Sequence, residues 1–138
     1  MSVIVTDAGF GPDTWKRGFV TPEQIAANDA GAPAVDLGPE ADPQTLAGHL
    51  GGISLIRVDF PSFADGRSFT IARRLRLMGY AGRLRARGHV LADQYAMARR
   101  AGFDEVEIDE TLAARQPEAD WAARANWRAH DYQSRLRG

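Results

Sequence analysis

Ile53-Ser54-Leu55-Ile56-Arg57-Val58-Asp59-Phe60 is the stretch that decides the fold. It is β-branched and mostly apolar, as a buried parallel strand should be. Beyond it, helix and strand patterns alternate. Residues 69–78 carry Ile71, Ala72, Leu75 and Met78 at helical spacing, with Arg73, Arg74 and Arg76 elsewhere, and Gly79 stops the helix. Those three Arg are expected on a solvated helix face. Residues 83–90 (RLRARGHV) alternate in character and read as a strand. Residues 91–101 read as a second helix, stopped by Gly102, with Phe103 placed to pack back on it. Residues 105–108 form a last short strand. Upstream, Ala34-Val35-Asp36-Leu37 is a strand candidate, and Asp42-Pro43 is a helix start with Asp at the cap and Pro at the first helical position.

This alternation implies an α/β fold, with a mostly parallel sheet of about four strands and helices packed on it. At 138 residues the chain is expected to be one domain over 1–138. Residues 34–110 form its alternating core. Residues 1–33 form an irregular N-terminal segment, with one short strand at 2–6 and a turn at Gly9, Gly11 and Pro12. A C-terminal helix is expected over 117–136, after the break at Pro117. Trp121 and Tyr132 on it are expected to pack inward, which leaves Trp127 as an interface candidate.

Composition narrows the chemistry. There is no Cys, so disulfides, thiolate metal sites and cysteine nucleophiles are excluded. His49, His89 and His130 share no ligand spacing, so no metal site is expected. There is no Walker A loop and no G-x-G-x-x-G, so no cofactor is expected either. A net charge of −1 speaks against nucleic acid as a partner. No apolar run approaches a membrane span, and the first residues lack the pattern of a signal peptide, so a cytoplasmic location is expected. The charge is unevenly placed: residues 57–100 hold ten Arg against Asp59, Asp65 and Asp93, while Lys16 is the only Lys.

Ligands of parallel α/β sheets bind beyond the carboxyl ends of the strands. Three such ends are visible here. The first runs through Asp65, Gly66, Arg67 and Ser68 into a helix, which either Ser68 or Thr70 is expected to cap. The second runs from Arg87 and Gly88 through His89 to Asp93 and Gln94. The third is Asp109-Glu110-Thr111. A helix N-terminus beside a guanidinium suits an anion. The first two turns are expected to meet, with Asp65, Gly66, Arg67, Ser68, His89, Asp93 and Gln94 as anion- or partner-binding candidates. The plainer alternatives are that Asp65-Gly66 only makes a turn, that Arg67 pairs with Asp59, Asp65 or Asp93, and that Asp93 only serves the start of its helix. Ser68, His89 and Asp93 could be written as a triad, but no nucleophile elbow supports one. The residues leave open whether the chain is catalytic.

Three runs carry a resemblance. Phe60-Pro61-Ser62-Phe63-Ala64-Asp65-Gly66-Arg67-Ser68-Phe69-Thr70-Ile71-Ala72-Arg73-Arg74-Leu75-Arg76 is the first. Gly79-Tyr80-Ala81-Gly82-Arg83-Leu84-Arg85-Ala86-Arg87-Gly88-His89-Val90-Leu91-Ala92-Asp93-Gln94 is the second, and Arg100-Ala101-Gly102-Phe103-Asp104 the third. Together they resemble the bacterial domain-of-unknown-function family 934. Thr70 stands where that family has Ser, and His89 where it usually has Asp. The resemblance implies a role in assimilatory sulfate and sulfite reduction. The expected role is an accessory protein that binds or supports a sirohaem sulfite reductase without its own redox centre. The alternative is a small oxidoreductase or oxyanion-binding enzyme of the same pathway, using Arg67, His89 and Asp93.

Overall fold

Beyond the parallel core expected from the alternation, the N-terminus adds two strands. The computed structural model describes residues 2–15, 17–27, 34–64 and 66–125. In chain order the strands are β1 (Ser2–Thr6), β2 (Gly9–Gly11), β3 (Ala34–Leu37), β4 (Leu55–Phe60), β5 (Arg83–Gly88) and β6 (Glu105–Asp109). The helices are α1 (Pro22–Ala27), α2 (Arg67–Leu77), α3 (Tyr95–Ala101), α4 (Glu110–Arg115) and α5 (Glu118–Ala122). Among the described residues they build one six-stranded sheet in the order β2-β1-β6-β5-β4-β3. The four strands β3 to β6 are parallel, each beside the one before it. β1 joins β6 antiparallel, and β2 joins β1 antiparallel.

The sheet is therefore mixed and six-stranded, and the expected mostly parallel sheet of about four strands is matched only in part, by β3 to β6. The N-terminal segment is less irregular than its Gly and Pro content implies. Gly9-Phe10-Gly11 reads as a turn in sequence, yet it pairs with Ile4, Val5 and Thr6. Each outer edge has part of its backbone engaged, which leaves less of it open to pairing with another chain. Val20 bridges to Val35 along the free side of β3, and the Phe10 N–H of β2 donates to the Glu118 carboxylate at 2.8 Å.

Side chains alternate between the two faces of a strand. One face carries Val5, Val35, Ile56, Val58, Phe60, Leu84, Ala86, Val106 and Ile108, all buried in the core. α2 and α3 bring Phe69, Ile71, Ala72, Leu75, Ala98 and Ala101 onto this face. Phe60 meets Phe69 edge-on at 5.0 Å and Phe103 at 5.8 Å. Because β3 to β6 step in one direction, right-handed crossovers carry the connections to a single face. Gly102 ends α3 with φ +119°, as the expected helix stop requires. Residues 43–52 form two short 3-10 turns, Pro43–Leu46 and Leu50–Gly52, in place of the expected α-helix. Asp42 caps the first of them through the Gln44 N–H.

One further element, α4, was not expected. α4 follows β6 directly and is capped by the Asp109 carboxylate, which accepts from the Leu112 N–H at 2.7 Å. The C-terminal helix is described only as α5, and Trp127 and Tyr132 lie outside the described residues. Trp121 packs inward as expected. It is buried, edge-on to Tyr95 at 6.0 Å, and its Nε1–H donates to the Gln116 carbonyl at 2.8 Å.

Arg76 departs from the solvated face expected for its run. Its guanidinium donates to the carbonyls of Tyr80, Gly82 and Gly102 and to Asp104. It thereby ties the end of α2 to the end of α3. Arg73 is exposed, and Arg74 is exposed while pairing with Asp42 at 3.1 Å. No helix among the described residues is long and apolar enough to cross a membrane.

Candidate functional site

The other face of the sheet carries charge where a core would be expected. Strand alternation places Arg83, Arg85 and Arg87 of β5 here, between Arg57 and Asp59 of β4 and Glu105, Glu107 and Asp109 of β6. Opposite charges on neighbouring strands meet, as cross-strand pairing favours. Arg83 donates to both oxygens of Glu105. Arg85 donates to Glu105 at 2.6 Å and to Glu107 at 2.8 Å. Arg57 holds Asp36 in a two-pronged pair at 2.6 and 2.7 Å and also reaches Glu107.

A strap from the N-terminal segment crosses this lattice. Asp13 accepts from Arg85 at 3.1 Å, and the Phe19 ring lies 3.7 Å from the Arg57 guanidinium carbon. With the strap in place the Arg85 side chain is 0% exposed. Burial works against its charge, but Asp13, Glu105 and Glu107 outweigh that and push its pKa up. Burial also opposes the charge on Asp13, yet the Trp15 backbone N–H and the Arg85 guanidinium hold its carboxyl below the ordinary range. Removing one partner from such a buried pair leaves an uncompensated charge.

The lattice stops being closed at the carboxyl end of the strands. Glu107 already accepts from Ser2, Arg57 and Arg85 across its two oxygens. That fills the roughly four acceptor positions of a carboxylate. Arg87 comes next along β5, and its contacts are long: 3.5 Å to Glu107 and 3.7 Å to Asp59. Its side chain is 48% exposed and makes no hydrogen bond among the described residues. It faces a cleft of about 460 Å³ lined also by Asp59, Pro61, Phe63, His89, Asp109 and Arg115.

Backbone geometry sets the mouth of this cleft. Gly88 has φ +113°, and a Cβ there would lie 2.7 Å from the Phe60 carbonyl oxygen. Only Gly permits this approach, which lets the His89 N–H donate to that same oxygen at 3.0 Å. The His89 ring stands edge-on to Phe63 at 5.2 Å. Gln94 joins the two turns: its Oε1 accepts from the Leu91 N–H and its Nε2 donates to the Phe63 carbonyl, both at 2.8 Å.

The first two strand-end turns do meet, through His89, Gln94 and Phe63. The other candidates go elsewhere. Gly66 precedes α2, and Arg67 begins that helix on an exposed position outside the cleft lining. Ser68 is buried and donates to the Asp59 carbonyl at 2.6 Å instead of capping α2, whose start has no side-chain cap. Asp93 pairs with Arg124 at 2.7 Å and borders a smaller hollow of about 280 Å³ with Gln116 and Asp120. Asp65 and Trp127 lie outside the described residues. The third strand end does contribute, through Asp109 and Thr111. Arg87 opens the second strand end in sequence but is not among the binding candidates, and Arg115 is not named there at all. The signal for Arg87 was the Arg-x-Arg-x-Arg alternation of residues 83–87, which puts all three guanidinium groups on one face. Among the described residues, no group of three or more His, Asp or Glu is placed to hold a metal ion.

A family model described as a bacterial protein of unknown function, DUF934, matches residues 34–138. The chain belongs to this family. The DUF934 match takes in β3 to β6 and, apart from Ser2, every residue lining the cleft; β1, β2 and the strap precede it. No curated protein and no solved structure matches the chain.

Proposed function

We propose that this DUF934 member is a cytoplasmic accessory protein of assimilatory sulfite reduction. It works by binding a sirohaem sulfite reductase through the strand-end cleft, without a redox centre of its own. The pathway comes from the family resemblance. The observation that carries a binding role is Arg87, a half-exposed guanidinium with no hydrogen bond among the described residues at the mouth of a cleft. Guanidinium groups of this kind are enriched at contact sites and are costly to leave unpaired once covered.

The test is co-purification from cells grown on sulfate as sole sulfur source, with reductase turnover then measured with and without the protein. The expected result is association that Arg87→Ala weakens and Arg74→Ala does not. A reductase that neither associates nor changes its turnover would overturn the reading.

A further inference from the structure

We propose that the strand-end cleft binds an organic carboxylate with an apolar or aromatic body, in preference to a bare inorganic oxyanion. The inference rests on the proposed function only for the location of the site; it requires neither the reductase nor the pathway.

The size of the cleft speaks first. About 460 Å³ lies in the range of sites that hold small organic molecules and exceeds what a lone tetrahedral anion fills. Donors speak next. Arg87 presents a planar fork of N–H groups, and Glu107 is too fully bonded to take them. A carboxylate matches that fork with two parallel hydrogen bonds. Arg115 lines the same cleft.

The walls favour an organic body and a single negative charge. Phe63 is 41% exposed, one of few large apolar side chains left open among the described residues. Its ring already stands against the His89 ring and its backbone carbonyl is held by Gln94, so covering it costs little ordering. Pro61 and Leu112 extend the apolar surface. Asp59 and Asp109 stand on the same walls. Their charge penalises a dianion such as sulfate or a phosphate monoester more than a monoanion.

The test is calorimetric titration of the full chain at constant ionic strength with phenylacetate, 2-phenylethanol, sulfate and phenyl phosphate. For a fragment of this size the expected phenylacetate Kd is on the order of 1 mM. Each of the other three probes should bind more weakly. Arg87→Ala should weaken phenylacetate binding about tenfold or more, as loss of a charged hydrogen-bond pair does. Arg87→Lys should also weaken it, because a point charge replaces the fork. Arg74→Ala should leave it unchanged. Amide shifts of Phe63 and His89 on titration provide a readout that needs no variant. The proposal is overturned if phenylacetate does not bind, if sulfate, phenyl phosphate or phenylethanol binds as tightly, if Arg87→Ala leaves the Kd unchanged, or if those amides do not move. A reductase that fails to associate leaves this result untouched, and the converse holds as well.

Discussion

Arg85 and Arg87 sit two residues apart on one strand and one face, yet the sheet treats them oppositely. Arg85 is fully enclosed by Glu105, Glu107 and Asp13, with a strap laid over it. Arg87 lies one pleat further on, where Glu107 is already taken and the nearest carboxylates are 3.5 and 3.7 Å away. The middle of the face is thus an ionic core, and its end is an open donor. A strand-end cleft can be made from the same pattern that holds the sheet together, once its carboxylates no longer come within hydrogen-bond distance of the last Arg.

The strongest challenge to that contrast is Arg85→Ala. It strips a buried guanidinium from Glu105, Glu107 and Asp13, leaving Glu105 to Arg83 and Glu107 to Arg57, Ser2 and the long Arg87 contact. The expected loss is on the order of 3 kcal/mol of unfolding free energy in a urea titration. Gly88→Ala comes next. It forces a Cβ against the Phe60 carbonyl at a φ suited to Gly, and about 1–3 kcal/mol should be lost. The amide shifts of His89 and Phe63 should move with it, because the mouth of the cleft is built on that approach.

Asp13→Asn tests the strap. Asp13 is held below the ordinary carboxyl range in the folded state. Its charge therefore contributes stability above the unfolded value, near pH 4, and that contribution is lost as pH falls through the lower folded value. The variant should lose about 1 kcal/mol at neutral pH. Its stability should converge on that of the parent as the pH is lowered below about 4. The smallest effect is expected for Arg87→Ala, within about 0.5 kcal/mol, since exposed and loosely paired charges contribute little.

Much of the fold was legible because β4, α2, β5, α3 and β6 each carry local signals: apolar runs, helical spacing, and Gly stops at Gly79 and Gly102. β2 was not, because two of the three residues of Gly9-Phe10-Gly11 are Gly, which strands disfavour, and the segment is held by its partner β1 and by Glu118. The meeting of two strand-end turns was legible too, and it runs through His89 and Gln94. Asp93 and Arg67 were drawn in by their position beside turns. Asp93 is instead engaged by Arg124, which is 31 residues away in sequence. Nor could sequence show which of the three Arg on β5 is left open. That depends on how many donors converge on Glu107 from β1, β4 and β5, a count fixed only by strand order.

Arg85 is locked and Arg87 is open, and the rest depends on that difference. The most direct measurement is hydrogen exchange of the Arg Nε–H groups by NMR at neutral pH. The expected result is a slowly exchanging Arg85 Nε–H, bonded to Glu105 at 2.6 Å, and a rapidly exchanging Arg87 Nε–H. Equal protection of the two, or an Arg87 signal slower than that of Arg85, would contradict it.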